Sequence, residues 1–389
     1  MSYILSNTNR WYCAQEAAYG QVAAITAANR IPAVNLKVQN QREKAHRKDK
    51  TGTRTFAGLP AGLRRNTSFD ATSYVRDWPD PTMLPPHAPL VEAAMGAPGV
   101  LWPGATTGTG STQSTIYFLS PHGLNPGQAI VSGGEIRFVA AVVTPLVVVV
   151  NAPFSTAPVA GVPLSSTATF TLATQLPSVS LFDYWDPSDA VQRVLSGVGV
   201  DRMTVSMNGD FHQFEFEGMA QDLLDSASFQ TGQGGLTAFP AEPTPTPVNY
   251  ALVPGNLGEV WMGVIPNQMF TVTKASVEIS NNLALREKEY GTILPLAIAP
   301  GAREVTMTLE FFSQDDTPTA ALYQAARQQS PIGVMFQLGQ TAGQLIGVYL
   351  KSVIPDVPQF EDSETRLQWQ FRDTRAQGTV DDEVVVAFG

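Results

Sequence analysis

Cysteine and histidine are scarce in this sequence, and their scarcity excludes several kinds of site. The single cysteine, Cys13, cannot form an intramolecular disulfide, and one thiol is too few for a zinc cluster. The 4 histidines form no HExxH or other metal-ligand spacing. We therefore expect no metal site, and we expect Cys13 to be a buried free thiol.

Charged residues are also few, at 15% of the chain, and positive charge is the rarer sign. The formal net charge is −10, from 24 Lys and Arg against 34 Asp and Glu. Proteins that grip nucleic acid by neutralising phosphates need clustered Lys and Arg. The composition therefore argues against such binding, because an acidic surface repels DNA.

Long hydrophobic runs are absent as well. The most apolar stretch, residues 138–150, is interrupted by Thr144-Pro145 and is too short to span a bilayer. We interpret it as a buried strand pair. Residues 1–5 lack the basic and apolar regions of a signal peptide. We expect no membrane insertion, and we expect synthesis and assembly in the cytosol.

Turn-forming residues, in contrast, are plentiful. The chain has 32 Gly and 29 Pro, and its hydrophobic content of 43% is that of an ordinary globular protein. Short strands joined by tight turns produce this composition. We predict a mainly β protein, and 389 residues are enough for two or three domains.

Two ordered sets of short motifs repeat along the chain. Arg-Glu-Lys occurs at 42–44 and 286–288, and a Gly-x-Arg turn occurs at 62–64 and 301–303. Each turn precedes an alternating strand, an Asp/Pro-rich break and a short Ala-rich helix. The two helices are predicted at 89–95 and 320–326. A repeated order of this kind predicts a duplicated β domain.

The domain boundaries follow from changes in composition. A Gly/Ser/Thr stretch at 108–115 opens a region of short strands, and the strands that complete the first copy return only at the Asn208-Gly209 hairpin. The predicted organisation is a discontinuous first domain at 1–99 and 181–240, a small inserted β domain at 100–180, a Pro-rich linker at 241–255 and a second domain at 256–389.

Two segments call for a choice between helix and strand. Residues 188–200 carry apolar residues at helical spacing, among them Val191 and Val194, and they follow Asp186. We predict a short helix there with Asp186 as its N-cap. The segment 11–20 fits a strand or a short helix, and its periodicity leaves both open.

No group of residues matches a catalytic or phosphate-binding motif. The glycines within 106–111 lack the Gly-Lys-Ser/Thr ending of a P-loop. The aspartates Asp183, Asp186, Asp189 and Asp201 fit no EF-hand loop. We predict no catalytic residue, no cofactor and no enzymatic activity.

Two alternative functions stay open on the residues alone. A glycosidase would use Asp183 and Asp186 as its carboxylate pair. A carbohydrate-binding adhesin would use His122 of the insert with Tyr184 and Trp185, although packing in the interior is the simpler role for these aromatics.

Charge is concentrated in a few places, which we predict to contact other subunits. The basic candidates are Arg42, Lys44, Arg47, Lys48, Lys50 and Arg54. The acidic candidates are Glu361, Asp362, Glu364, Asp381 and Asp382. The simpler interpretation of the basic stretch is a solvated hairpin loop. Complementary charges at opposite ends of a repeating subunit would instead set register and partner choice.

The order of these short features resembles a known protein family. The features are Glu-Ala-Ala-Tyr-Gly at 16–20, the two Arg-Glu-Lys motifs, the Gly-x-Arg turns, the Ala-rich helices, and Gln-Trp-Gln-Phe at 368–371, to which Phe214-Glu215-Phe216 is similar. Together they resemble the tail tube proteins of long-tailed bacteriophages. The resemblance covers both copies and leaves residues 100–180 unexplained.

The resemblance implies a fold and an assembly. It implies two tandem tail-tube-like β-sandwich or barrel domains, each with a short helix, plus a small inserted β domain. Tube proteins of this kind form stacked rings around a lumen that conducts DNA during genome ejection. Most are hexamers with one domain per chain, so two copies per chain imply a pseudo-hexameric trimer.

The resemblance also implies partners and a location. The partners would be further copies of the chain, other tail proteins such as the tape measure, baseplate and terminator proteins, and phage DNA that passes without specific binding. The location would be the virion tail, with assembly in the host cytoplasm. A baseplate hub or distal tail protein of the same fold is the nearest alternative.

Overall fold

The structure is a computed structural model of the chain. The structure describes residues 3–44, 50, 52–55, 61–207, 209–245, 251–362 and 365–389. As predicted, the protein is mainly β: the described residues form many antiparallel strands and two α-helices. Neither helix is long and apolar enough to cross a membrane.

The elements of the first part of the chain are β1 (Arg10–Gln15), β2 (Arg30–Ile31), β3 (Ala33–Lys44), β4 (Ala61–Tyr74), α1 (Ala88–Met95), β5 (Val100–Trp102), β6 (Thr115–Tyr117), β7 (Ala129–Ser132), β8 (Glu135–Thr144), β9 (Val147–Val150), β10 (Thr167–Thr171), β11 (Val179–Tyr184), β12 (Arg193–Met207), β13 (Gln213–Ala220) and β14 (Asp222–Asp225). Short 3₁₀ turns occupy Ala27–Asn29 and Gln233–Gly235.

The later elements are β15 (Gly258–Gly263), β16 (Asn267–Gln268), β17 (Val272–Ser280), β18 (Ala284–Leu285), β19 (Ile298–Ala299), β20 (Glu304–Phe312), α2 (Thr317–Gln328), β21 (Ile332–Leu338), β22 (Ile346–Val353), β23 (Gln359–Glu361), β24 (Gln368–Arg375) and β25 (Val384–Phe388).

An eight-stranded antiparallel sheet runs through the middle of the protein in the order β3-β4-β13-β12-β17-β20-β24-β23. Its first four strands form what we call the first unit and its last four the second unit. In each unit the strands lie in the order first, second, fourth, third along the chain. A helix follows the second strand in both units, α1 after β4 and α2 after β20.

Two further sheets accompany the eight-stranded sheet. The long strand β12 leaves it and pairs at its beginning with β11 and β14, so that β2-β1-β11-β12-β14 form a five-stranded sheet. A seven-stranded sheet has the order β16-β15-β21-β22-β25-β10-β5. Inward side chains of both large sheets share one buried core, which includes Phe214, Phe311, Phe336 and Phe388.

The stretch between α1 and β11 folds mainly as a separate layer. Its four-stranded sheet has the order β6-β9-β8-β7 and its own buried cluster around Trp102 and Phe118. The predicted strand pair within 138–150 is confirmed as the β8–β9 hairpin. Phe138 stacks on Tyr349 of β22 with ring centroids 5.4 Å apart, so this layer packs on the seven-stranded sheet.

The predicted helix at 188–200 is wrong, because Arg193–Met207 is the strand β12. Residues 194–200 of this strand are all buried. A strand covered on both faces shows no alternation of polar and apolar residues, and helical spacing then arises by coincidence. Asp186 is no helix cap, because its carboxylate accepts a hydrogen bond of 2.6 Å from Arg10.

Other elements agree with the sequence-based expectations. The predicted helices are confirmed as α1 and α2. Of the two possibilities left open for residues 11–20, the structure has a strand, β1. β12 and β13 pair as the hairpin pattern predicts, although Asn208 itself lies outside the described residues. Cys13 is a buried free thiol, as expected.

Candidate assembly surfaces

The two faces of the eight-stranded sheet differ sharply in polarity. Side chains on one face are buried in the core, for example Met203, Val277 and Phe371. The alternate residues point the other way and are polar in most positions. The charged residues of this polar face are Lys37, Asp70, Arg202, Glu215, Glu217, Lys274, Glu278, Glu304, Glu310, Glu361, Arg372 and Arg375.

Charges on the polar face pair across neighbouring strands. Arg202 on β12 lies 3.2 Å from Glu217 on β13 and 3.2 Å from Glu278 on β17. Lys37 lies 3.4 Å from Asp70. These side chains are solvent-exposed to a large degree, so the pairs contribute little to folding stability. They leave a hydrated face of mixed charge with no basic cluster among the described residues.

The first of the predicted basic residues, Arg42, lies at one end of the eight-stranded sheet, which we call the basic end. Arg42 is exposed near the end of β3 and lies opposite Arg65 on β4. The neighbouring Arg64 donates a hydrogen bond of 3.3 Å to the carbonyl of Glu289. Because Asn66 also donates to Glu287, at 2.7 Å, two Arg-Glu-Lys regions that are far apart in sequence meet here.

The other basic candidates are only partly described. Lys44 is the last residue of β3, and Lys50 and Arg54 are exposed. Arg47 and Lys48 lie outside the described residues, as does the acidic candidate Glu364.

Glu361 and Asp362 lie at the opposite end of the sheet, which we call the acidic end. Glu361 pairs with Gln368, and Gln368 lies opposite Phe312, the last residue of β20. The basic end holds Glu304, the first residue of the same strand. At about 3.3 Å per residue, the length of β20 separates the two ends by roughly 26 Å. Further exposed acidic residues at the acidic end are Asp210, Asp315 and Asp316.

Asp381 and Asp382 lie instead at the basic end and have partners within the chain. Asp381 accepts a hydrogen bond of 3.0 Å from Arg303, beside the start of β20. Asp382 accepts one of 2.6 Å from Lys351 on β22. The hydrogen bond from Lys351 is the main cause that lowers the pKa of the Asp382 carboxyl. These two carboxylates therefore hold the last turn of the chain against its own sheets.

The sequence predicted Arg42, Lys44 and Glu361 as contact residues, but it did not predict that they lie on the two edge strands of the eight-stranded sheet. Within the described residues, β3 pairs only with β4 and β23 only with β24. Phe360 on β23 is 55% exposed and stacks on Trp369, with ring centroids 5.5 Å apart. The alternation Gln359-Phe360-Glu361 was the available signal, but three residues directly after Pro358 are too few to predict a strand.

The residues of the two alternative functions are engaged in the fold. Asp183 is fully buried and accepts hydrogen bonds of 3.0 and 2.5 Å from Arg193. His122 is buried, and its Nδ1 accepts a hydrogen bond of 2.9 Å from the amide of Leu124. The Tyr184 hydroxyl donates to the carbonyl of Pro240 at 3.1 Å. In the described part of the chain, no group of three or more His, Cys, Asp or Glu residues is placed to hold a metal ion.

Comparison with known proteins assigns this mainly β chain to a family. A family model described as "Phage tail tube protein" matches residues 90–388, which is more than half of the chain. The chain belongs to the phage tail tube protein family. The predicted resemblance to tail tube proteins is therefore confirmed, and with it a structural role in the tail of the virion, whereas the two tandem domains stay a prediction. A search of curated proteins gives no match for this tail tube protein.

Proposed function

We propose that this tail tube protein forms stacked rings whose lumen conducts phage DNA during genome ejection. The observation that carries the proposal is the continuous eight-stranded sheet, which has one polar and one apolar face across both units. The apolar face packs into the core of the chain itself. The polar face is therefore the one suited to border a water-filled channel.

The charges of the polar face suit a channel through which DNA slides. Its carboxylates slightly outnumber its basic groups, and Arg202 and Lys37 are already paired with carboxylates. Tight binding to DNA requires several free Lys or Arg groups that neutralise phosphates. A lumen lined by this face would not hold DNA, so the role is that of a conduit and not of an enzyme.

The matching strand orders of the two units support a ring built from three subunits. Each unit has four strands in the same arrangement, and each has a helix after its second strand. We propose that the units derive from the two tandem domains expected from the sequence, with residues 100–180 as the insert and 241–255 as the linker. Three chains then supply six units, and the insert projects outward.

Stacking is proposed to join the basic end of one ring to the acidic end of the next. Arg42 lies near one end of the sheet, and Asp362 lies at the other. Contacts between such surface charges weaken as salt screens them. Asp381 and Asp382 are at the basic end, so we assign them a supporting role there.

Electron microscopy of the purified protein, with its mass measured by light scattering, tests this proposal. Rings or tubes of three-chain layers are the expected result, and higher salt should shorten tubes into single rings. An Arg42→Glu variant should form rings that stack less, whereas Arg42→Lys, which keeps the positive charge, should stack normally. A monomer that never forms rings, even with a tube initiator, would point to a baseplate hub or distal tail protein instead.

A further inference from the structure

We propose that neighbouring subunits join through β23 of one copy and β3 of the next, in the register that β12 and β17 already use within the chain. In this arrangement Phe360 of one copy lies opposite Val38 of the next. The inference rests on the proposed ring assembly and deepens it, because it names the residues that meet. It follows from a comparison of the two units, residue by residue.

The first strands of the two units, β3 and β17, each contain a shift of pairing register near their beginning. In β3 the pairing with β4 shifts between Ala33 and Asn35. In β17 the pairing with β20 shifts between Val272 and Lys274. A shift of this kind inserts a residue at one fixed point of a strand, so it aligns the two strands. Three residues after each shift lies a valine that faces the core, which is Val38 in β3 and Val277 in β17.

The third strands of the two units, β12 and β23, align through their neighbours. Val205 of β12 lies opposite Phe214, and Phe360 of β23 lies opposite Trp369. Phe214 and Trp369 begin the similar Phe-Glu-Phe and Trp-Gln-Phe motifs of β13 and β24. Phe360 therefore corresponds to Val205.

The junction inside the chain supplies the register. Val205 of the first unit lies directly opposite Val277 of the second unit. Val277 is the valine of β17 that corresponds to Val38 of β3. The same pairing between copies would bring Phe360 opposite Val38 and continue the apolar face from subunit to subunit.

The polar face gives an independent sign of complementarity. Within the chain, Ser206 lies opposite Ser276. The corresponding residues at the free edges are Glu361 and Lys37, which carry opposite charges and would meet across the junction. Opposite charges directly across a strand pair stabilise it, and like charges destabilise it. This assigns Glu361 to the contact within a ring and not to stacking.

Both edge strands, β3 and β23, have features that favour pairing with a further strand. β3 is 12 residues long and has one paired side among the described residues. Phe360 is 55% exposed although it stacks on Trp369. A long open edge such as β3, or an exposed apolar side chain at an open edge such as Phe360, favours pairing with another chain. The partner that fits both edges at once is a second copy of this chain.

Cysteine cross-linking tests the register directly, because Cys13 is fully buried and gives little background. Under mild oxidation, a Val38→Cys/Phe360→Cys double variant should form chains of covalently linked subunits that a reductant separates. Val205→Cys/Val277→Cys is the positive control, since it should link within one chain. Lys37→Cys/Phe360→Cys is the matched negative control, because its thiols lie on opposite faces.

The outcomes separate this inference from the proposed function. Rings without the Val38–Phe360 link, in material where the Val205–Val277 control does link, would overturn the register and leave the ring standing. Absence of any ring would overturn both. A charge exchange gives a second measurement: Lys37→Glu alone and Glu361→Lys alone should each reduce the assembled fraction several-fold, and the two together should restore it. Unchanged assembly in both single variants would contradict the pairing.

Discussion

The two units of the eight-stranded sheet have the same strand order but differ at their third strands. In the first unit, Arg193–Met207 is one strand of 15 residues that passes from the five-stranded to the eight-stranded sheet. In the second unit the same course is divided between β22 and the three-residue β23. Pro355 and Pro358 lie in the gap between them. Proline lacks the amide that a central strand must donate, so the sequence itself explains the break.

The difference shows that corresponding strands of the two units have different surroundings: β12 lies in the interior and β23 lies at the surface. β12 pairs with β17 and belongs to the buried centre of the molecule. β23 occupies the corresponding position at an open edge and carries an exposed phenylalanine. A short edge strand limits unwanted pairing before assembly, whereas a long central strand links the layers. The four predictions below test this contrast.

The largest effect is expected from a substitution of Phe214, which has in the first unit the position that Trp369 has in the second unit. Phe214 is fully buried against His87, Phe216 and Phe388. Phe214→Ala should lower the free energy of unfolding by about 3–5 kcal/mol, because the core around it cannot close the cavity. Trp369→Ala should cost the isolated chain less, at or below about 3 kcal/mol.

The reason for the smaller cost is the open edge, where half-exposed Phe360 can move into the space that Trp369 leaves. Chemical denaturation of both variants measures the difference. Equal losses at the two positions would mean that the edge of the second unit is as rigid as the centre.

A large loss is also expected where the inserted layer docks on the seven-stranded sheet. Arg137 is fully buried, donates to Gln337 at 3.0 Å and lies 3.0 Å from Glu259. Arg137→Ala would remove the buried cation that pairs with Glu135 and Glu259, and we expect a loss of about 3–5 kcal/mol. Arg202→Ala, on the exposed polar face, is the control and should cost at most about 1 kcal/mol.

Thermal unfolding of both variants checks this prediction. A small shift for Arg137→Ala would mean that the insert layer is held by apolar packing alone, through contacts such as Phe138 on Tyr349.

The predictable parts of this fold are those decided by local sequence. Alternation and turn residues predicted the β20 strand and the β8–β9 hairpin, and Asp/Pro breaks before Ala-rich segments predicted both helices. The strand β12 was missed because burial on both faces removes the alternation on which such a prediction depends.

The candidate surfaces were predictable only in part, for a related reason. A cluster of Arg and Lys is visible in the sequence, and Arg42 is indeed exposed. The partners of Asp381 and Asp382 are not visible, because Arg303 and Lys351 reach them from positions far away in sequence. Nor does a sequence reveal which strands lie at the edges of a sheet, and so Phe360 was not recognised.

The start of α1 is expected to respond to pH through His87. The pKa of His87 is lowered from 6.5 to about 3, mainly because the side chain is buried and to a lesser extent because of the charge of Arg76. A lowered pKa in the folded state means that the stability contribution is complete above pH 6.5 and is lost as the pH falls toward 3. The free energy of unfolding falls by no more than about 1.4 kcal/mol per pH unit through one group. Acidification to pH 5 should therefore lower it by about 2 kcal/mol through His87.

Unfolding free energies measured between pH 7 and pH 5 test this for His87→Gln, which should lose that part of the pH dependence. Ser73→Ala is the matched control, because it removes the hydroxyl 2.8 Å from Nε2 but keeps the imidazole. If His87→Gln retained the full pH dependence, another group would be responsible.

The smallest effect is expected at the start of α2, where the second unit has a capping side chain that the first lacks. The carboxylate of Asp316 accepts a hydrogen bond of 2.8 Å from the amide of Thr319, whereas His87 makes no side-chain cap for α1. Asp316→Ala should therefore cost about 1 kcal/mol, and the adjacent, exposed Asp315→Ala should be near neutral. Hydrogen exchange at the Thr319 amide should rise by about fivefold in the first variant and stay unchanged in the second. Equal exchange in both would mean that packing of α2 against the sheets, and not its cap, holds the first turn in place.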